Sequence, residues 1–127
     1  MDLLLDTHVF LWWDAGADKL GEAARAAIAD PDNAVFVSAA SIWEIAIKAA
    51  KGKLSYGGSP GAAIAANGFL PLPITVAHAE SAGALTWAHP DPFDRMLVAQ
   101  ARTDSLVLVH ADGVIAGYPV PQLWAKS

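Results

Sequence analysis

Four acidic residues in this 127-residue chain stand where a carboxylate can do chemistry. Asp6 follows the apolar run "LLL", and Glu44 sits early in "SIWEIAIKAAKGKL". Asp94 sits in "HPDPFDRMLVAQA", and Asp112 lies two residues past the run "SLVLVH". They are separated by 38, 50 and 18 residues, so only the fold can bring them together. Clustered carboxylates repel one another unless a cation neutralises them, and oxygen donors suit hard ions such as Mg2+ or Mn2+. The matching chemistry is phosphodiester hydrolysis, with a metal-activated water and charge stabilised on the phosphate. Each acid also has an ordinary structural use. Asp6 suits a helix N-cap, Glu44 an i,i+4 pair with Lys48, and Asp112 a turn before Gly113. Position by position, both readings stay open.

What must position these acids is an alternation of strands and helices. Residues 3–7 ("LLLDT"), 34–38 ("AVFVS") and 105–110 ("SLVLVH") are short apolar runs, the form of strands buried on both faces. Helical spacing appears in "HVFLWW", in "DKLGEAARAAIADPDN", and from Ser41 to near Gly52. Further helices are expected over 60–67, in "VAHAESAGALTW" and over 91–103, with a short helical turn in "ADGVIAGY". "LPLPIT" offers at most a proline-interrupted edge strand, and "PV" before the tail suggests a last one. The sum is one α/β domain over residues 1–127. It is a three-layer α/β/α sandwich with a central parallel sheet of four to five strands. In such sheets functional groups gather at the carboxyl ends of the strands. Asp6 and Asp112 lie at strand ends and Glu44 and Asp94 at helix starts, so all four belong to one edge. Asp91 before Pro92 fits a helix N-cap, which leaves Asp94 for the cleft.

Composition narrows the classes. Hydrophobic residues make up 54% of the chain, yet no apolar run approaches the ~20 residues of a membrane helix. The start "MDLLLDTHVF" has an acid where an export signal carries basic residues, and there are no cysteines. Both features fit a cytoplasmic protein away from membranes. A net charge of −5 argues against nucleic-acid binding unless a bound cation reverses the local field.

The blocks "LLLDTHVFLWW", "SIWEIAIKAAKGKL", "HPDPFDRMLVAQA" and "LVHADGVIAGY" resemble, in order and spacing, those of PIN-domain proteins. The resemblance is nearest to the VapC-type toxin ribonucleases of toxin–antitoxin pairs and covers nearly the whole chain. It implies a Mg2+- or Mn2+-dependent endoribonuclease acting on RNA, a homodimer, and a small VapB-like antitoxin that blocks the cleft. It maps the four acids to Asp6, Glu44, Asp94 and Asp112, with Thr7 as a supporting hydroxyl. One position departs from the pattern: His110 stands where the family usually has Thr or Ser. Lys48, Lys51 and Lys53 form the basic cluster available to RNA phosphates, and Arg95 is a candidate for holding substrate or an antitoxin acid. The four histidines show no paired ligand spacing. Two other functions compete. A catalytically silent PIN-fold module would bind partner or RNA, with His110 marking the decayed site. A dehalogenase-like phosphatase would need a second Asp at position 8, where this chain has a histidine.

Overall fold

A computed structural model describes residues 1–127. Its centre is a five-stranded sheet in the order β3-β2-β1-β4-β5, with every neighbouring pair parallel. The strands are β1 (Leu3–Leu5), β2 (Val35–Ser38), β3 (Leu70–Leu72), β4 (Val107–His110) and β5 (Gln122–Trp124). The helices are α1 (Thr7–Asp14), α2 (Glu22–Ala29), α3 (Ala39–Ala50), α4 (Pro60–Ala66), α5 (Val76–Ala84), α6 (Pro92–Thr103) and α7 (Gly113–Ala116). None is long and apolar enough to cross a membrane.

Strand alternation builds both cores at once, because successive side chains point to opposite faces. Leu3 and Leu5, with Val35, Val37 and Val109, pack against Val9 and Phe10 of α1, Ile28 of α2, Ile45 of α3 and Ile64 of α4. Leu4 and Leu108 face the other way, onto Leu97, Val98 and Ala101 of α6 and Ile115 of α7. This is the expected three-layer sandwich, with the number of strands fixed at five. β1 occupies the middle and is wholly buried, so Asp6 emerges at the centre of the sheet's carboxyl edge.

Several boundaries differ from the sequence expectation: β1 ends at Leu5 rather than Thr7 because Asp6 caps α1, α2 is confined to Glu22–Ala29, and four others have equally local reasons. α3 starts at Ala39 rather than Ser41, because the Ser38 hydroxyl caps it by accepting from Ala40 N–H (3.0 Å). β4 starts at Val107 rather than Ser105. Ser105 has φ 56°, the left-handed turn that ends α6, and Leu106 N–H returns to Ala101 C=O. α5 stops at Ala84 rather than running through Trp87, since the Arg95 guanidinium takes up the carbonyls that leave the helix. The last strand is Gln122–Trp124, not Pro119–Val120. Proline lacks the N–H a ladder needs, so pairing with β4 begins only after Pro121.

The C-terminal segment then folds back over α2. Gly21 N–H donates to Ala125 C=O, and the Ala23 and Ala24 N–H groups donate to Ser127 C=O. A Cβ on Gly21 would lie 2.1 Å from that oxygen, so no larger residue fits beneath this segment. The fold-back carries Lys126 to the rim of the cleft described next.

Candidate active site

At the carboxyl edge of the sheet lies a cleft of about 500 Å³ that contains all four acids, Asp6, Glu44, Asp94 and Asp112. Three N-caps converge there: Asp6 for α1, Asp91 for α6 and Asp112 for α7. The N-terminal ends of these helices face the acids with partial positive charge, which eases their proximity. Capping and clustering therefore occur in the same side chains.

One side of the cleft is built by α1 and α3. The Thr7 hydroxyl donates to Glu44 Oε1 (2.6 Å) and shares a further bond with Ser41 Oγ (2.9 Å). Lys48 Nζ donates to Glu44 Oε2 (2.5 Å). Both Glu44 oxygens are thus occupied in a residue only 5% exposed. In return the Glu44 carboxylate raises the Lys48 pKa and holds its ammonium charged. Asp6 belongs to this side and spends one oxygen on Val9 N–H (3.1 Å). No side chain bonds its carboxylate, and the residue lines the cleft. Burial raises the Asp6 pKa, an effect partly offset by the Val9 N–H bond.

The opposite side, from the start of α6 and from α7, is crowded. Asp91 Oδ1 accepts from Phe93 N–H (2.8 Å) and Asp94 N–H (3.3 Å), so it caps α6 as expected. It also lines the cleft beside Asp94. Burial first, then repulsion from Asp91, pushes the Asp94 pKa up to about 7, with Asp6 and Asp112 adding to it. His89 opposes the rise by bonding Asp94 Oδ2 through Nε2 (2.7 Å). Asp112 Oδ1 caps α7 through Val114 N–H (2.7 Å), and its Oδ2 lies 3.9 Å from His89 Nε2.

The supporting candidates divide. Thr7 and Lys48 act on Glu44. His110 is fully buried and accepts from Asp112 N–H through Nδ1 (3.0 Å). The ring proton must then sit on Nε2, which donates to Gln122 Oε1 (2.8 Å). A small hydroxyl could accept that same N–H. The imidazole thus performs the local task and reaches on to β5 as well. Arg95 does not enter the cleft. Its guanidinium donates to the backbone carbonyls of Ala82 (2.9 Å), Leu85 (3.1 Å) and Trp87, and so fastens the segment after α5. The residue that sequence reading missed is His89. Its only signal was a position five residues before Asp94, with no second histidine to mark a ligand pair. His89 reaches Asp94 from behind, whereas His8, Trp12 and Lys126 line the cleft itself.

The donor set fits a hard divalent cation. Asp6 brings an oxygen that no protein side chain bonds, and Asp94 a carboxylate whose ionisation is opposed by burial first and by Asp91 next. A cation would relieve both strains. Lys48, Lys51 and Lys53 line a second groove that shares Glu44, Lys48 and Asp91 with the cleft, so basic and acidic surfaces adjoin.

The PIN domain family model matches residues 3–119. Among solved structures, VapBC2 from Rickettsia felis, crystallised with a DNA fragment from its promoter, superposes with a TM-score of 0.72 at 12% identity. That match covers 97% of this chain and 98% of the other. A toxin–antitoxin complex from Klebsiella pneumoniae gives a TM-score of 0.68 at 21% identity, covering 97% of each chain. No curated protein matches the sequence.

Proposed function

The chain belongs to the PIN domain family, and from that premise we propose that it is a metal-dependent endoribonuclease, the VapC-type toxin of a toxin–antitoxin pair. The observation that carries this reading is the meeting of Asp6, Glu44, Asp94 and Asp112 in one cleft, with Asp94 unable to ionise freely there. Asp6, Asp94 and Asp112 are the residues to hold Mg2+ or Mn2+. When bound, such an ion supplies a nucleophilic water at neutral pH and counter-charge for the phosphate oxygens. Thr7, itself bonded to Ser41, orients Glu44 at the edge of that site, and Lys48 moves from Glu44 toward an incoming phosphate. Lys51 and Lys53 extend the phosphate track along the adjoining groove. The hydrolysis adds water across a P–O bond and releases two RNA fragments.

The two solved structures named above are complexes of a toxin with its antitoxin. Their likeness supports a small antitoxin as partner; a homodimer as the working assembly and the cytoplasm as the compartment are part of the same proposal. One observation favours the silent-module alternative. Glu44 already has both oxygens paired, one of them to a lysine.

A single assay separates the readings. Single-stranded RNA should be cleaved with Mn2+ or Mg2+ and not with EDTA, and Asp6→Asn or Asp94→Asn should lower the rate at least a hundredfold. Asn keeps the capping ability of Asp6, so loss of activity there is not loss of the helix. RNA cleavage that survives both substitutions would exclude this cleft as the active site.

A further inference from the structure

Behind two of the four acids, Asp94 and Asp112, lies a nitrogen donor. His89 Nε2, Asp94 Oδ2 and an Asp112 oxygen lie within 4.8 Å of one another, close enough for one ion to touch all three. We propose that His89 is a direct ligand of the cation site and makes that site prefer a transition-metal ion such as Mn2+ to Mg2+. The inference rests on the divalent-ion reading above and adds its selectivity.

The imidazole is held in place from outside the cleft. Trp87 packs edge-on to the His89 ring, with centroids 4.8 Å apart, and also rests on Tyr118 at 4.7 Å. Arg95 fixes the backbone of the same segment through Trp87 C=O, Leu85 C=O and Ala82 C=O. The His89 side chain is 12% exposed, so little water competes for its ring. Nε2 points between two carboxylates, while Nδ1 has no hydrogen-bond partner in the protein. Nδ1 can therefore carry the ring proton while Nε2 gives its lone pair to an ion. With no ion bound, Nε2 bonds Asp94 and keeps the two donors in register.

The consequence for selectivity follows from donor softness. Mg2+ holds its waters and prefers oxygen, whereas first-row transition ions accept imidazole more readily than Mg2+ does, Mn2+ the least of them. A nitrogen donor strengthens Mn2+ binding and does little for Mg2+. Arg95 is on this account a positioning residue, which explains its place beside the cleft without entry into it.

The test uses the metals alone, by isothermal titration of wild type, His89→Gln and Arg95→Met. His89→Gln should weaken Mn2+ binding about tenfold or more, with Mg2+ binding changed less than about twofold. Arg95→Met should weaken Mn2+ in the same direction, by less. Electron spin echo spectra of the Mn2+ protein should show coupling to an imidazole nitrogen. That coupling should vanish in His89→Gln and persist in His8→Gln. Equal weakening of both ions would make His89 only an aligner of Asp94 and overturn the inference. Unchanged Mn2+ binding, or unchanged nitrogen coupling, would overturn it too, with the nuclease reading left standing. A wild type that binds neither ion would overturn both.

Discussion

The two sides of the cleft solve opposite problems. On the α1–α3 side each oxygen of Glu44 has a partner, and the nearest cation, Lys48, is already spent on it. On the α6–α7 side Asp91, Asp94 and Asp112 crowd together with a histidine as their main relief. At Glu44 the first side is finished without a ligand, and only Asp6 there keeps an oxygen for one. The second is a set of like charges held together by the fold, and it has room for a positive charge. A functional site is better read from that imbalance than from a count of acids.

The comparison breaks first at Thr7. Thr7→Val keeps the shape and removes the hydroxyl, leaving a buried Glu44 oxygen without its donor. The expected cost is about 1–3 kcal/mol, read by urea unfolding of the metal-free protein. Unchanged stability would mean that the paired side is not held as described.

Asp94 tests the crowded side in the opposite sense. Folded Asp94 keeps its proton to about pH 7, whereas the ordinary value for Asp is 3.8. Between these limits the folded chain binds more protons than the unfolded one, so its stability falls as pH rises. The metal-free melting temperature should therefore drop from pH 4 to pH 7, and Asp94→Asn should flatten that slope. A slope equally steep in the variant would move the strain to another group. Saturating Mn2+ should cancel the drop in the wild type only.

Asp91 gives the smallest effect and the sharpest one. Asp91→Ala removes the α6 cap and should cost about 1 kcal/mol, whereas Asp91→Asn keeps the cap and should cost a few tenths. Asp91→Asn also removes the repulsion on Asp94, so the pH at which Asp94 ionises should fall, as followed by carboxyl NMR. If that pH stays put, burial alone sets it.

Much of this arrangement was legible in the sequence because it is local. The apolar runs gave the sheet, and the spacing of Asp91, Pro92 and Asp94 gave both a cap and a cleft residue. Glu44 and Lys48 were readable as an i,i+4 pair. What stayed hidden depends on distant partners. Arg95 looked like a free cation beside the site, but its acceptors are carbonyls of another element, which no side-chain pattern records. His89 lay in an irregular segment, where neither helical nor strand periodicity says which way a ring points. His110 looked like a departure from the family pattern, and its second partner, Gln122, became visible only with the register of β5.

The contact between Trp87 and His89 has one more consequence, for detection. An indole in edge contact with an imidazole senses the charge and occupancy of that ring through its emission. The cleft thus carries its own optical reporter. An ion that binds at His89 should change the fluorescence of Trp87 with no added label, and a paramagnetic one should quench it. Replacing Trp87 with Phe would remove its share of this signal, leaving that of Trp12 in the cleft lining, and keep an aromatic ring against His89.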